Sequence, residues 1–502
     1  MIPTIEHLPS HSCAPLPPAE MMMHDDKSTL PNGATECADG PPPPPPPLSH
    51  IHKRSWMERW QTIKPYFLPM IQAFFIQFIT GVNDSQLGIM LPSIKAHYGL
   101  SQYVVSIIFL CNTCGYMMAA VSNGFLIKYL SQAKTALIGS ISMVLGFLVI
   151  LFALPFPVMC VFMVAVGFGV ALTQASSNVV CGEMPHNTLM LSFLHAFYGA
   201  GGLIGPLLAS AILAQGQPWN TSYKVMCGFA GFNTLSILIC YRKLRIRSER
   251  EADAALAEKQ LQNESNNDHD SIGSPCPTVV SSTEDDIESL DGKAKEPNLL
   301  SQVLNYRICY VGCAFLLFYT GTEVTIGNWG YTFLITARSS DTVAMAHVMS
   351  GYWAGICAGR LFLGFVTSRF GEKRMVYVYL TIIVAMLILL WLIPYIGANA
   401  TALVVTGFTL GPIFPTTVSV AHQIMPTKLY ATAVGFLSAF ASAGTAVFPY
   451  ATGVLIGSQG VQAMLPFCVA TSSCMWLLWL FMPDPRRGSF IRPLFTRLRR
   501  QT

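Results

Sequence analysis

Charge is what this sequence has least of. Only 11% of its 502 residues are Asp, Glu, Lys or Arg, whereas ordinary soluble domains carry about 25%. With 52% of residues hydrophobic and a mean hydropathy of +0.47, that scarcity excludes an ordinary soluble fold and makes lipid the expected solvent. A basic surface patch is missing too. The net charge of +4 comes from connections and tails, so no nucleic-acid partner is expected. Disulfide frameworks are excluded by placement: most of the fourteen cysteines lie inside apolar stretches, where a thiol acts as a small hydrophobe. Cys111 and Cys114 form a C-x-x-C with no second pair and no polar loop, which argues against a metal. The polar, Pro-rich first fifty residues hold no short apolar core, so no cleavable signal is expected. No catalytic constellation stands at either membrane face, and the expectation is a non-enzyme without cofactor or metal.

What is present is a series of apolar stretches of about twenty residues, the length a helix needs to cross a bilayer. Twelve are expected, approximately over 67–90, 104–126, 136–154, 158–180, 189–213, 223–241, 309–334, 344–366, 376–396, 402–424, 432–456 and 464–482. The fold class is therefore an all-α polytopic membrane protein with twelve transmembrane helices in two pseudo-symmetric six-helix bundles. Residues 1–60, with the run Pro41 to Pro47, form a disordered tail. Residues 61–241 form the first bundle and 242–305 a polar linker with a short helix near Glu251 to Gln262. Residues 306–483 form the second bundle and 484–502 a basic tail. Lys and Arg fall on one set of alternate connections, including both tails, Lys128, Lys134, Arg369, Lys373, Arg374 and Lys428. The other set holds Lys95, Lys224 and Arg338. Basic loops stay cytoplasmic, so both termini and the linker are expected there, with the plasma membrane favoured.

The two bundles repeat one another. Phe193, Leu194, Ala196, Phe197, Ala200, Gly201 and Pro206 recur at the same spacings as Phe436, Leu437, Ala439, Phe440, Ala443, Gly444 and Pro449. Gly115 and Gly124 recur as Gly355 and Gly364, Gly167 recurs as Gly407, and Asp84 with Gly88 recurs as Glu323 with Gly327. Two parallel repeats joined by a long linker are the plan of a carrier whose solute site lies between the halves near the bilayer midplane. Gly199, Gly201, Gly202 and Gly205 echo a dinucleotide loop, but without a preceding strand they suit helix packing.

From Gly364 through Ser368, Arg369, Gly371 and Lys373 to Arg374, the sequence resembles the signature of the major facilitator superfamily. The resemblance covers about residues 66 to 482. Ser368 stands where the usual acid stands, and the first-half counterpart, from Gly124 to Lys134, carries Lys128 there. Within the superfamily the chain is similar to fungal members of the fucose permease branch, through Gly81-x-x-Asp84-x-x-x-Gly88, Gly201-Gly-x-x-Gly205-Pro206, Gly321-Thr-Glu323 with Trp329, Trp353 through Gly359-Arg360, and Gly411-Pro-x-x-Pro415. The resemblance implies alternating access. It also implies an acid in the first span for proton and sugar handling, matched by Asp84, and a second acid in the fourth span, where Gln174 stands with Asn178 nearby.

Ionisable groups inside a bilayer are costly, by roughly 2.5 to 3.5 kcal/mol at the centre of a span, and so mark wet cavities or partnered sites. Asp84 and Glu323 are the candidate proton-coupling residues. Arg360, inside the eighth span, and Arg369, Lys373 and Arg374 beyond it are candidate gating residues, Arg360 with snorkelling to the interface as its alternative. Gln77, Asn83, Gln174, Asn178, His195, Tyr198, Tyr319, Asn328, Trp329 and Trp353 would suit a sugar or polyol, whose hydroxyls need hydrogen bonds and whose ring faces stack on aromatics. The alternative for each is glue between helices. The sequons at Asn220 and Asn399 sit on loops too short for easy glycosylation. The expected partners are a small-molecule solute, protons and the lipid bilayer, with the chain monomeric. The leading function is proton-coupled solute transport, with sugar favoured. Its alternatives are proton-exchange efflux of hydrophobic compounds and a solute receptor on a carrier scaffold.

Overall fold

The structure is a computed structural model that describes residues 64–184, 187–242, 258 and 299–484. The Pro-rich amino tail, the basic carboxyl tail and, apart from Glu258, the helix expected in the linker lie outside the described residues.

Twelve long helices run through the described residues, one for each expected span. The first bundle comprises α1 (Phe67–Tyr98), α2 (Gln102–Leu130), α3 (Gln132–Leu151), α4 (Phe156–Gly182), α5 (Asn187–Ala214) and α6 (Thr221–Cys240). The second comprises α7 (Arg307–Ala337), α8 (Thr342–Phe370), α9 (Glu372–Leu392), α10 (Ile396–Ile424), α11 (Thr427–Gln459) and α12 (Met464–Phe481). Ten of them are long enough and hold a stretch apolar enough to cross a membrane, by length and composition alone. The two that fall short are α1 and α8, which carry Gln72, Gln77, Asn83, Asp84 and Gln86, and His347, Ser350 and Arg360. Both line the junction of the bundles, where Asp84 and Arg360 meet protein instead of lipid, while Gln72 and Gln86 bond to α6 within the first half and His347 is exposed. A short helix, Leu299–Leu304, precedes α7 and buries Val303, so the last residues of the expected linker are ordered against α11.

Packing is the same in both halves. In the first, α1 packs on α5, and α4 on α2 and α3; in the second, α7 packs on α11, and α10 on α8 and α9. Lipid tails are as apolar as leucine, so close backbone approach and dispersion hold such helices together instead of hydrophobic burial. The repeated glycines provide that approach. A β-carbon on Gly167 would drive into the carbonyl of Asn112, and one on Gly407 into that of Tyr352. Gly115 and Gly355 face these same seams. Gly124 and Gly364 meet no neighbour, so their recurrence has another cause than packing.

Helix ends follow local chemistry. Gly99 adopts φ 63° and closes α1 by donating its N–H to Ala96 O. Asp341 caps α8 by accepting from the Ala344 N–H at 2.9 Å. Gly411 and Pro412 interrupt α10 between Leu410 and Ile413, as expected where proline removes a donor. The α2–α3 and α8–α9 turns are counterparts: Gly371 has φ 100° and ψ 130°, and Ser131 has φ 95° and ψ 157°. Neither sequon offers a free asparagine, since Asn220 donates to Leu151 O at 2.7 Å and Asn399 is fully buried.

The halves meet along three seams. Where α1 crosses α7, a β-carbon on Gly88 would lie 2.7 Å from Gly327 O. Where α5 crosses α8, Gly199 faces Cys357 and Gly202 faces the indole of Trp353. Where α2 meets α11, Ser106 packs on Gly453 and Tyr103 lies beside Gly457, and next to them Phe109 of α2 stands edge-on to Trp329 of α7 at 6.1 Å. These contacts of α2 with α11 and α7 all lie at the face opposite the chain tails and linker, which closes the bundle at that far face. Toward the tail face, Val121, Phe125 and Tyr129 of α2 and Phe440 of α11 are exposed.

Candidate functional site

Near the middle of α1 and α7, the two halves bring their buried acids toward one cluster. Asp84 on α1 accepts a hydrogen bond from Asn83 Nδ2 at 3.0 Å and another from the Tyr198 hydroxyl of α5 at 3.0 Å. Glu323, at the corresponding place on α7, pairs with Arg360 of α8 through Oε1 and Nη2 at 3.2 Å. Both side chains of that pair are nearly enclosed, 6% and 11% exposed. The Tyr352 hydroxyl donates to the backbone carbonyl of Glu323 at 2.9 Å, fixing the turn that carries the acid.

Arg360 also reaches across to the first half. Its Nη1 donates to the carbonyl of His195 at 3.3 Å, and its guanidinium lies over the Tyr198 ring, 5.3 Å from the centroid. The alternative of snorkelling to the interface is thereby corrected: with a buried counter-ion and a carbonyl in reach, the guanidinium turns inward. Gly411 lets α10 approach the backbone of α8 at this point, because a β-carbon there would lie 2.8 Å from the Arg360 backbone nitrogen.

Of the residues chosen from sequence, Asn83, Asp84, His195, Tyr198, Glu323, Trp353 and Arg360 come together. The His195 imidazole faces Phe414 across the seam at 6.4 Å. Trp353 is enclosed between Gly202 and Gly327, edge-on to Tyr198 at 6.2 Å, and its indole N–H has no partner. Nearer the tail face, Gln174 Nε2 donates to Gln77 Oε1 at 3.3 Å, while Asn178 spends its amide on the Gln174 carbonyl of its own helix. Gln77 Nε2 is buried without a partner, as is Asn328 Oδ1 beside the α1–α7 crossing.

Tyr319 borders this cluster, close enough to Glu323 and Arg360 to interact with both, and ties its hydroxyl to Leu410 O at the α10 break, at 3.2 Å. Other chosen residues lie apart from it. Trp329 donates its indole N–H to Pro449 O at 2.8 Å and packs against Phe109 in the far-face seal. At the tail face, Lys373 binds the carbonyls of Trp479 and Met482, closing the exposed end of α12 within its own half. Positive charge at a helix carboxyl end is stabilising. Arg369 and Arg374 are exposed.

Some participants were not read from sequence. Tyr116 on α2 lies close enough to Asp84 to interact with its charge. Gln72 of α1 donates to Asn233 of α6 at 2.7 Å, and Asn233 donates to Ser140 of α3 at 2.8 Å. This chain links three helices away from the acids. Tyr352 and Phe109 could have been suspected as aromatics beside Trp353 and in the second span, but their partners are distant in sequence.

Comparison with known proteins agrees with this architecture. The chain is 26% identical over 444 residues to Bypass of stop codon protein 6 of Saccharomyces cerevisiae, covering 86% of this chain and 85% of the yeast protein. It is 22% identical over 402 residues to a glucose/galactose transporter of Brucella abortus, covering 78% of this chain and 87% of that one. Its fold is similar to that of the E. coli fucose:proton symporter, with a TM-score of 0.54 at 14% identity, over 84% of this chain and 99% of the symporter. With the twelve-helix repeat and a match of the family's sequence model to residues 73–336 and 311–499, the chain belongs to the Major Facilitator Superfamily.

Proposed function

We propose that this protein is a proton-coupled carrier of a small neutral hydroxylated solute, a sugar or polyol, working by alternating access. The observation that carries the reading is the pairing, at one junction, of an acid held by neutral donors with buried polar atoms that have no partner. Asp84 is bonded by Asn83 and Tyr198. Gln77 Nε2 and Trp353 Nε1 are unpartnered donors, and Asn328 Oδ1 is an unpartnered acceptor. Unmade hydrogen bonds of buried groups cost about 1–3 kcal/mol each. A solute carrying both hydroxyl hydrogens and oxygens could satisfy those it reaches. The glucose/galactose and fucose:proton transporters among the similar proteins support the same solute class.

Charge decides the assignment of roles. Arg360 and Glu323 neutralise one another, so an ionised Asp84 leaves the junction with one net negative charge. A proton on Asp84 removes that charge. A proton on Glu323 would instead leave Arg360 as a buried cation without its partner, a costly state. Asp84 is therefore the proton carrier, and Glu323 with Arg360 forms the gate between the halves. One proton moving down about 100 mV releases about 2.3 kcal/mol, enough for about a fifty-fold gradient of a neutral solute. With the basic connections on the cytoplasmic side, the closed far face is the external one, and the described conformation opens inward. Trp329 then belongs to the external seal, and Arg369 and Arg374 face the cytoplasm.

The test is uptake of radiolabelled D-glucose, D-galactose, L-fucose, D-xylose and mannitol into proteoliposomes with an imposed acid-outside gradient. Accumulation of at least one above its equilibrium level is expected. Failure of all five, together with proton-driven movement of a hydrophobic cation, would transfer the protein to the efflux class.

A further inference from the structure

The path between the two buried acids runs through one aromatic ring. Tyr198 gives its hydroxyl to Asp84 Oδ2 at 3.0 Å, and the face of its ring lies 5.3 Å from the Arg360 guanidinium. Arg360 holds Glu323 at 3.2 Å and the His195 carbonyl at 3.3 Å. The first half thus touches Arg360 through α5, and the second half holds it through α7. We propose that Tyr198 is a positioning residue that transmits the charge on Asp84 to the Arg360 clamp and so sets how tightly α5 and α8 hold the seam. The inference rests on the reading of Asp84 as the proton carrier.

Each link has a physical basis. A hydroxyl donating to a carboxylate makes a charge-assisted bond about twice as strong as a neutral one, which pins the phenol ring. Donation to an anion also enriches the ring in electrons, strengthening its hold on a guanidinium, a contact worth about 0.5 to 2 kcal/mol. When Asp84 takes a proton, the carboxyl becomes neutral and the hydroxyl loses its strong acceptor. The ring is then free to turn, and Arg360 keeps Glu323 but loses its aromatic contact on α5. Beside the clamp, the seam of Gly199 and Gly202 holds the Cys357 thiol donating to the Ala196 carbonyl at 3.4 Å, a neutral contact, so the clamp is the part of it that responds to charge.

The groups facing Asp84 are Asn83 on its own helix, Tyr116 on α2, Tyr198 on α5 and Glu323 on α7. Those facing Arg360 are His195 and Tyr198 on α5, and Tyr319 and Glu323 on α7. Phenols ordinarily titrate near pH 10. In the reading above the charge change falls to Asp84, and Tyr198 acts by position alone.

The experiment needs no solute. Nitroxide labels on ketone-bearing side chains at positions 124 and 364, where the glycines meet no neighbour, report the spacing of the halves at the tail face by pulsed electron spin resonance. In the full chain in nanodiscs, the ratio of near to far populations should change about fivefold between about pH 5 and about pH 8. Tyr198→Phe keeps the ring over Arg360 and beside Trp353 but lacks the hydroxyl. It should reduce that change to less than about twofold, as should Asp84→Asn. A wild-type response in Tyr198→Phe overturns the proposal, and so does an absent response in the wild type. If Tyr198→Phe does not fold, Arg360→Lys, which keeps the charge without the planar ring contact, must lose the response, and retention there is equally decisive. Failure of the sugar screen alongside an intact Tyr198-dependent response would remove only the solute assignment.

Discussion

The two halves solve one problem with opposite chemistry. Each places a carboxylate near the middle of its first helix, Asp84 and Glu323, at matched positions of the repeat. In the second half the acid has a counter-charge from Arg360 and a backbone tie from Tyr352. In the first it has only the amide of Asn83 and the phenol of Tyr198. A neutral shell leaves an acid able to gain a proton without abandoning a partner. A salt-bridged one is committed to its cation. The repeat is one scaffold used twice, and the proposed proton coupling turns on the difference at this one pair of sites.

Removing charge should separate the halves most sharply. Glu323→Gln leaves Arg360 unpaired and should cost about 3–5 kcal/mol of stability, read as a lower thermal midpoint in detergent, with much of the loss recovered in Glu323→Gln/Arg360→Gln. Asp84→Asn keeps one acceptor oxygen for Asn83 and places an NH2 opposite the Tyr198 hydroxyl, which can rotate to accept from it, so it should cost only about 1 kcal/mol. Equal losses would break the contrast. Gly167→Ala and Gly407→Ala occupy equivalent seams and should each lose about 1–3 kcal/mol by overpacking, in the same assay. Ser131 and Gly371 come next. Ser131 holds φ 95° and ψ 157°, a region tolerated essentially by glycine alone at a cost of order 1–3 kcal/mol. Ser131→Gly should therefore raise the midpoint and Gly371→Ser lower it. The smallest effect belongs to Gly364→Ala, which meets open space and should stay within about 0.5 kcal/mol.

Much of the scaffold was legible because lipid imposes a simple pattern. Each of the twelve helices overlies its expected span, although the ends shift: α1 runs past the apolar stretch from Met90 to Tyr98, whereas α3 stops at Leu151 and α9 at Leu392, short of the expected 154 and 396. The repeat was readable as residue identities because backbone carbonyls a β-carbon away from Gly167 and Gly407 admit nothing larger. Asp84, Glu323, Arg360 and Tyr198 stood out one by one, since each is expensive or unusual in a span. Their connection was not legible: Tyr198 meets Asp84 from 114 residues away and Arg360 meets His195 from 165. Trp329 and Lys373 show the limit from the other side. A tryptophan can stack on a solute or seal a seam, and a lysine can gate or close a helix end. Only the atoms opposite decide.

The most direct test of the account sets Asp84→Asn against Glu323→Gln in one transport assay, using whichever solute the proteoliposome screen identifies. The account predicts that Asp84→Asn loses accumulation driven by a pH gradient yet retains counterflow, the exchange of labelled for unlabelled solute without net proton movement. Glu323→Gln should impair both. Undiminished gradient-driven accumulation in Asp84→Asn would contradict the central claim.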